Sequence, residues 1–200
     1  MGMKLNFNWA EDGQVHTYCV VCHGEHMEVR QIEGKTQYYC ADCQKIYDRW
    51  IKIDPGLTWW VAEDDEYWHE SSGIFVRNAE GKFLFFQRTI FPFSMTVPAG
   101  HVDSGEIPIV AARRELEEEV GLEGELVSIA DEPIVGDSCS RGSDAHVWHA
   151  FLVTLPDTPT IEVREEGEAP IWMTLDEALA KDVIVPVRFM IEHYKDQLTA

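Results

Sequence analysis

The sequence predicts an α/β fold, a mixed sheet covered by helices on both faces, with a small cysteine-rich module set before it. Three observations predict it. Beyond Tyr67, β-rich runs alternate with helical periodicity; two Cys-x-x-Cys pairs stand near the N-terminus; and the segment from Gly100 to Leu122 carries helical apolar spacing beside a row of carboxylates. A chain of 200 residues with 45% apolar content can bury one substantial core. It leaves about fifty residues for an appended module.

The module comes first. Cys19-Val20-Val21-Cys22 and Cys40-Ala41-Asp42-Cys43 are two knuckles separated by residues 23–39, the spacing of a four-cysteine zinc ribbon. Arg30-Gln31-Ile32 and Gln37-Tyr38-Tyr39, on either side of Gly34, read as a hairpin joining them. With all four positions filled by sulfur, the Zn²⁺ is structural. His16, His23 and His26 are read as solvated. This stretch has too little apolar surface for an independent core. Asp54-Pro55-Gly56 is a turn and Glu63-Asp64-Asp65-Glu66 a solvated run, which places a ribbon and linker over residues 1–64 and the main domain over 65–200. Trp59 and Trp60, inside the linker, are expected to pack it onto the main domain.

The main domain opens with a hairpin, Gly73-Ile74-Phe75-Val76 and Lys82 to Arg88, turned at Asn78-Ala79-Glu80-Gly81. A strand through Thr96-Val97-Pro98 leads into a loop at Ala99-Gly100-His101. Asp103 or Ser104 is expected to cap a helix running from Glu106 to Val120 and ended by Gly121. Strands over Gly124 to Val135 and Ala145 to Leu155 flank a polar loop with Ser138, Arg141 and Asp144, and a short strand lies near Pro170 to Met173. Thr174-Leu175-Asp176-Glu177 has capping-box form, and Pro186 suits the first turn of a last helix reaching Gln197.

Charge bounds the partners. With 36 Asp and Glu against 16 Lys and Arg, the net charge of −20 repels nucleic-acid phosphate, so broad nucleic-acid binding is not expected. A small phosphorylated ligand is still compatible with that field, because a bound divalent cation reverses its local sign. The N-terminus lacks a basic stretch followed by an apolar run, and no run of roughly eighteen apolar residues occurs. The chain is read as soluble and cytoplasmic, with no membrane partner and with a homodimer left open. Cys139, the fifth cysteine, is read as an ordinary thiol.

On a helical projection Ile109, Ala112, Leu116 and Val120 share one stripe, expected to pack on the sheet, while Glu115, Glu118 and Glu119 gather on the next. Three like charges in i, i+3, i+4 relation repel unless compensated, and no lysine stands four residues away. A hard divalent cation would compensate them. Oxygen ligands suit Mg²⁺ or Mn²⁺, which keep waters and complete their shell with substrate phosphate. Such an ion polarises phosphorus and acidifies a bound water. Gly100 would let a backbone carbonyl turn towards the metal, and Gly121 would end the helix at positive φ. Arg114 and Glu106 are placed away from the carboxylate stripe, in a salt bridge that holds the loop to the helix.

These residues follow the pattern Gly-x5-Glu-x7-Arg-Glu-U-x-Glu-Glu-x-Gly-U, with U a bulky aliphatic, at Gly100, Glu106, Arg114, Glu115, Leu116, Glu118, Glu119, Gly121 and Leu122. By this box the chain is similar to the Nudix hydrolases, and the likeness extends from the hairpin before the box to Trp172-Met173-Thr174-Leu175-Asp176-Glu177 after it. The resemblance implies an α/β/α sandwich and hydrolysis of a diphosphate in a nucleoside diphosphate derivative, a dinucleotide, flavin nucleotide or nucleotide sugar. It implies Mg²⁺ or Mn²⁺ on Glu115, Glu118, Glu119 and the Gly100 carbonyl. The general base is left between Glu119 and the later loop residues Glu166 and Glu168. A ribbon before a Nudix box is similar to the NADH pyrophosphatase-like and FAD or ADP-ribose pyrophosphatase-like members. The Ser-Gln-Pro-Trp-Pro-Phe-Pro signature of the first group is replaced by Ile129-Ala130-Asp131-Glu132-Pro133-Ile134-Val135, which leaves the substrate open. Arg88 and Arg141 are the candidate phosphate forks, and Trp148 or Trp59 the candidate stacking partner. The alternative is a nucleotide-sensing or protein- or RNA-binding module on the same scaffold.

Overall fold

In the computed structural model, which describes residues 2–164 and 166–200, the ribbon is built from short strands that bury little of their own. They are β1 (His16–Tyr18), β2 (Met27–Ile32), β3 (Lys35–Cys40), β4 (Lys45–Tyr47) and β5 (Ile51–Ile53). β2, β3 and β4 form an antiparallel meander whose first turn runs through Gly34 at φ 77°, as the hairpin reading expects. β1 pairs with β5. Most β2 side chains are exposed. The apolar residues of the β1–β5 pair instead share a cluster with Leu5 and with Tyr67 of the main sheet.

The stretch read as linker contains a strand, β6 (Trp59–Val61), which pairs with β7 (Tyr67–Arg77). Trp59 packs edge-on against Trp9 and Tyr67, so its packing role is met by β pairing as well as by the ring. β8 (Phe83–Arg88), β9 (Met95–Thr96) and β10 (Ala99–His101) follow, then α1 (Pro108–Val120), β11 (Val127–Val135), β12 (Ala145–Thr154), β13 (Gly167–Met173), α2 (Leu175–Leu179) and α3 (Val185–Thr199). The main sheet runs β11-β12-β7-β8-β13, with β6 and β10 also on β7 and β9 on β8. β12 lies parallel to β7 and the other pairings are antiparallel, so the sheet is mixed.

Alternation along β7 sorts the two helical layers. Ile74 and Val76 join Leu84, Phe86, Phe151 and Val153 under Ala112, Leu116 and Val120 of α1. Phe75 joins Phe83, Phe85, Trp148 and Leu152 under Val187, Met190 and Ile191 of α3. The predicted α1 stripe therefore faces the sheet, and the sandwich has helices on both sides.

Two local expectations are corrected. Helix α1 begins at Pro108, two residues later than Glu106, and neither Asp103 nor Ser104 caps it; Ile107 is the N-cap, extended at φ −96°, ψ 146°. A residue before proline is excluded from helical backbone, and proline itself fits the first helical position. Ala99-Gly100-His101, read as a loop, is strand β10, paired with Ser71 to Gly73 of β7. The helix does end on Gly121 in the left-handed region at φ 66°, with its N–H on the Glu117 carbonyl and that of Leu122 on Leu116. Thr174 and Glu177 form the reciprocal capping box at α2, and Pro186 lies in the first turn of α3.

Candidate active site and metal clusters

Helix α1 is pinned at its start by Ser72 Oγ, which donates to the Pro108 carbonyl at 2.8 Å, and it runs beside β10. That places Glu115 and Glu119 inward and leaves Glu118 at the open edge. Glu119 is 6% exposed and accepts the Ala99 N–H at 2.8 Å. Burial raises its carboxyl well above the usual range, against the pull of that N–H; burial also raises Glu115, opposed by Arg114. Gly100 backs onto Glu115 so closely that a Cβ there would overlap the carboxyl carbon. Its φ is not in the left-handed region, so the need for glycine here is the approach of Glu115 rather than a special backbone angle.

Arg114 departs from its expected place. It does bridge to Glu106, Nη2 to Oε2 at 3.1 Å, but Nη1 also donates to Glu115 at 2.6 Å and to Glu118 at 3.3 Å. Its Nη2 reaches the His101 carbonyl at 3.1 Å. One guanidinium thus ties the loop, two carboxylates and β10 together, which a helical projection misses because the side chain spans a full turn. Burial disfavours the Glu106 anion, yet Arg114 and the Asp103 N–H outweigh it and hold the carboxyl low.

Gly100, Arg114, Glu115, Glu118 and Glu119 line a cavity of about 240 Å³ that also takes in Arg88, Arg141 and Glu166. Arg141 leans on Asp54 at 3.5 Å, and Arg88 reaches the carbonyls of Ile90 and Phe91 at 3.4 Å. Glu168, by contrast, sits on β13 opposite Gln87 and does not border the cavity. Trp148 is a correction. It borders the cavity from within the core, 2% exposed, edge-on to Phe75 and against Gly73, where a Cβ would overlap its ring. Burial leaves it no open face for a base, and its role is packing. Trp59 lies in the ribbon-side cluster and is absent from the cavity lining.

The four ribbon cysteines gather as their spacing predicts, with Sγ separations of 3.8 Å between Cys19 and Cys43 and 3.7 Å between Cys22 and Cys40. Four sulfurs at about 2.3 Å from a tetrahedral Zn²⁺ stand about 3.8 Å apart, so the cluster fits that ion. The N–H groups of Val21 and Cys43 point at Cys19 and Cys40 sulfur, and thiol neighbours, Cys43 foremost, push Cys22 up to about 12. Four thiolates can stand together here only around a cation. His16 and His26 pair with Asp12 and Asp42, and His23 stacks on Phe7; none of the three joins the cluster.

A second group escaped sequence reasoning. His69 of β7, His101 of β10, His146 of β12 and Cys139 of the β11–β12 loop bring one donor atom each to within 4.8 Å of the others. Cys139, read as a lone thiol, lies 3.8 Å from His69 Nδ1. His146 stands directly opposite His69 in the parallel β12–β7 register. No local spacing links these residues; the only sequence hint is that His101 directly follows the first glycine of the box.

A NUDIX-domain profile matches residues 68–192. The chain is 37% identical over 132 residues to an RNA pyrophosphohydrolase of Rhodospirillum rubrum, a match covering 60% of this chain and 80% of that protein. Among solved structures it is similar to the MutT protein of Methanosarcina mazei, with a TM-score of 0.57 and 16% identity over 68% of this chain and 99% of that one. It is equally similar to the Nudix domain of Shewanella oneidensis NrtR, solved with ADP ribose, with a TM-score of 0.57 and 16% identity over 70% of this chain and 94% of that one.

Proposed function

We propose, from the premise that this chain belongs to the NUDIX family and is a pyrophosphohydrolase, that it hydrolyses the diphosphate linkage of a small nucleoside diphosphate derivative. The observation that carries this reading is the convergence of Glu115, Glu118, Glu119, Gly100, Arg88 and Arg141 on one cavity. Anionic and cationic groups facing one space suit a substrate that is itself a chain of phosphates with its counter-ions.

The donor set fits Mg²⁺ or Mn²⁺. Burial disfavours the anionic form of Glu115 and Glu119, so a cation beside them would compensate it. Glu115, Glu118, Glu119 and the Gly100 carbonyl would hold it. When bound, it supplies charge neutralisation at phosphate and acidifies water. Arg114 keeps Glu115 and Glu118 turned to the same side, and the Ala99 N–H fixes Glu119. Arg88 and Arg141, which line the same cavity, would orient the phosphates. Glu166 at the cavity edge would take the proton from the attacking water, since Glu119 is engaged by Ala99 and Glu168 lies outside. The four-cysteine ribbon would carry a structural Zn²⁺.

The test is a panel of NAD(H), FAD, ADP-ribose, dinucleoside polyphosphates, nucleoside triphosphates and triphosphate-ended RNA, read as nucleoside monophosphate or pyrophosphate released with Mg²⁺ or Mn²⁺. Turnover of one class is expected, with Glu118→Gln folded and inactive. Tight binding of a nucleotide without turnover would move the chain to the sensing class, and full activity in Glu118→Gln would remove the site assignment.

A further inference from the structure

We propose that His69, His101, Cys139 and His146 form a second transition-metal site, of the class Zn²⁺ occupies, in the wall of the cavity. Three imidazoles and a thiolate match the ligand preferences of Zn²⁺ and exclude Mg²⁺, which takes oxygen. Donors spread over at most 4.8 Å reach tetrahedral Zn²⁺ distances if each moves by under about 1 Å.

The cluster is also left incomplete by its own protein contacts. Nε2 of His69 and Nε2 of His101 are buried without a hydrogen-bond partner among the described residues, and His69 is fully buried. A well-packed interior ordinarily gives each buried ring nitrogen a partner. Stacking does not absorb them either, since the three rings meet edge to face or tilted, with centroids 5.0–5.8 Å apart.

His146 carries the third argument. Its Nδ1 faces the Asp137 carboxylate at 3.0 Å and the Asp137 carbonyl at 3.1 Å. That partner fixes Nδ1 as the protonated nitrogen and turns Nε2 inward, the carboxylate–histidine–metal arrangement. Asp137 precedes Cys139 by two residues, so the loop supplies both a ligand and the group that aims one. Four protein donors close the site. Its effect is to staple β7, β10 and β12 to the loop that carries Arg141 into the cavity.

The full chain, produced with zinc, is expected to hold two Zn²⁺ per molecule by elemental analysis. X-ray absorption should then show an averaged shell of about 2.5 sulfur and 1.5 nitrogen neighbours, the mean of a four-sulfur and a one-sulfur, three-nitrogen site. The paired variant His69→Ala, Cys139→Ser, which leaves only two ligands, should lose one zinc and leave an all-sulfur shell. Asp137→Asn should keep both but release one to a chelator about 10–100-fold more readily, leaving the ribbon zinc unchanged. A single zinc surrounded by sulfur alone in the unmodified protein would overturn the proposal, and so would two zincs that survive the paired variant. A single zinc with a nitrogen-rich shell would instead uphold this site and remove the ribbon's. These readouts are independent of hydrolysis, so the proposal and the functional reading can fail separately.

Discussion

The ribbon and the cavity wall each gather four metal-binding donors, in opposite ways. In the ribbon, two knuckles bring thiols together through turns of the chain itself, Cys22 is exposed, and the flanking β2 side chains point mostly to solvent. In the wall, four residues from four separate elements meet at a sheet whose central strands β7 and β12 are already buried on both faces. The first cluster has little apolar packing to fold it, and the second sits in a core that packs without it. A metal would build the fold in one place and only fix it in the other.

Cys40→Ser is the strongest way to break that contrast. Zinc contributes about 10–16 kcal/mol of apparent binding energy to small domains that depend on it. Loss of the ribbon zinc is therefore expected to raise amide exchange across β2, β3 and β4 by at least about a hundredfold while β7 and β12 keep their protection. Equal loss in both regions would show that the ribbon cluster supports the whole molecule. Gly100→Ala comes next. The added methyl overlaps Glu115, so kcat is expected to fall by about a hundredfold, with a stability cost of only about 1–3 kcal/mol in denaturant unfolding. Unchanged kcat would mean that Glu115 can move aside.

The smallest effect tests the seam between the two regions. Arg49, between β4 and β5, pairs with Asp144 at the entrance to β12, with a second contact of 3.2 Å from Nη2 to Oδ2. Burial alone would raise the Asp144 carboxyl, but Arg49 and Ser138 outweigh it and hold it below its ordinary value. A group depressed by folding contributes stability above its unfolded value, and that contribution is lost as pH falls through the folded one. Arg49→Met is expected to cost about 1–3 kcal/mol near neutral pH. The deficit should begin to narrow as pH falls below the ordinary carboxylate value of about 4, and close only once Asp144 is protonated in the unmodified protein as well. A deficit constant from pH 7 to 3 would show that the lost packing of the arginine stem, and not the ion pair, was measured.

What could be read from sequence follows the same division. The cysteine knuckles, the stripe of Ile109, Ala112, Leu116 and Val120, and the Thr174 capping box depend on residues a few positions apart, and all three stand in the structure as read. The pairing of β12 beside β7 depends on long-range register, so the meeting of His69 with His146 left no local trace. Trp148 looked available for stacking because one strand's alternation does not say which face is covered. Helix α1 was begun too early because acidic residues before Ile107 resemble caps, whereas Pro108 alone decides where helical backbone can start.

Strand β10 carries one further consequence. Gly100 lies against Glu115 and the next residue, His101, donates its ring to the histidine group, while Arg114 grips the carbonyl of that same His101. Three residues of extended chain therefore act as a yoke between the carboxylates and the histidines. Anything that steadies the yoke from one side lowers the cost of steadying it from the other, and by thermodynamic reciprocity the two effects are equal in size.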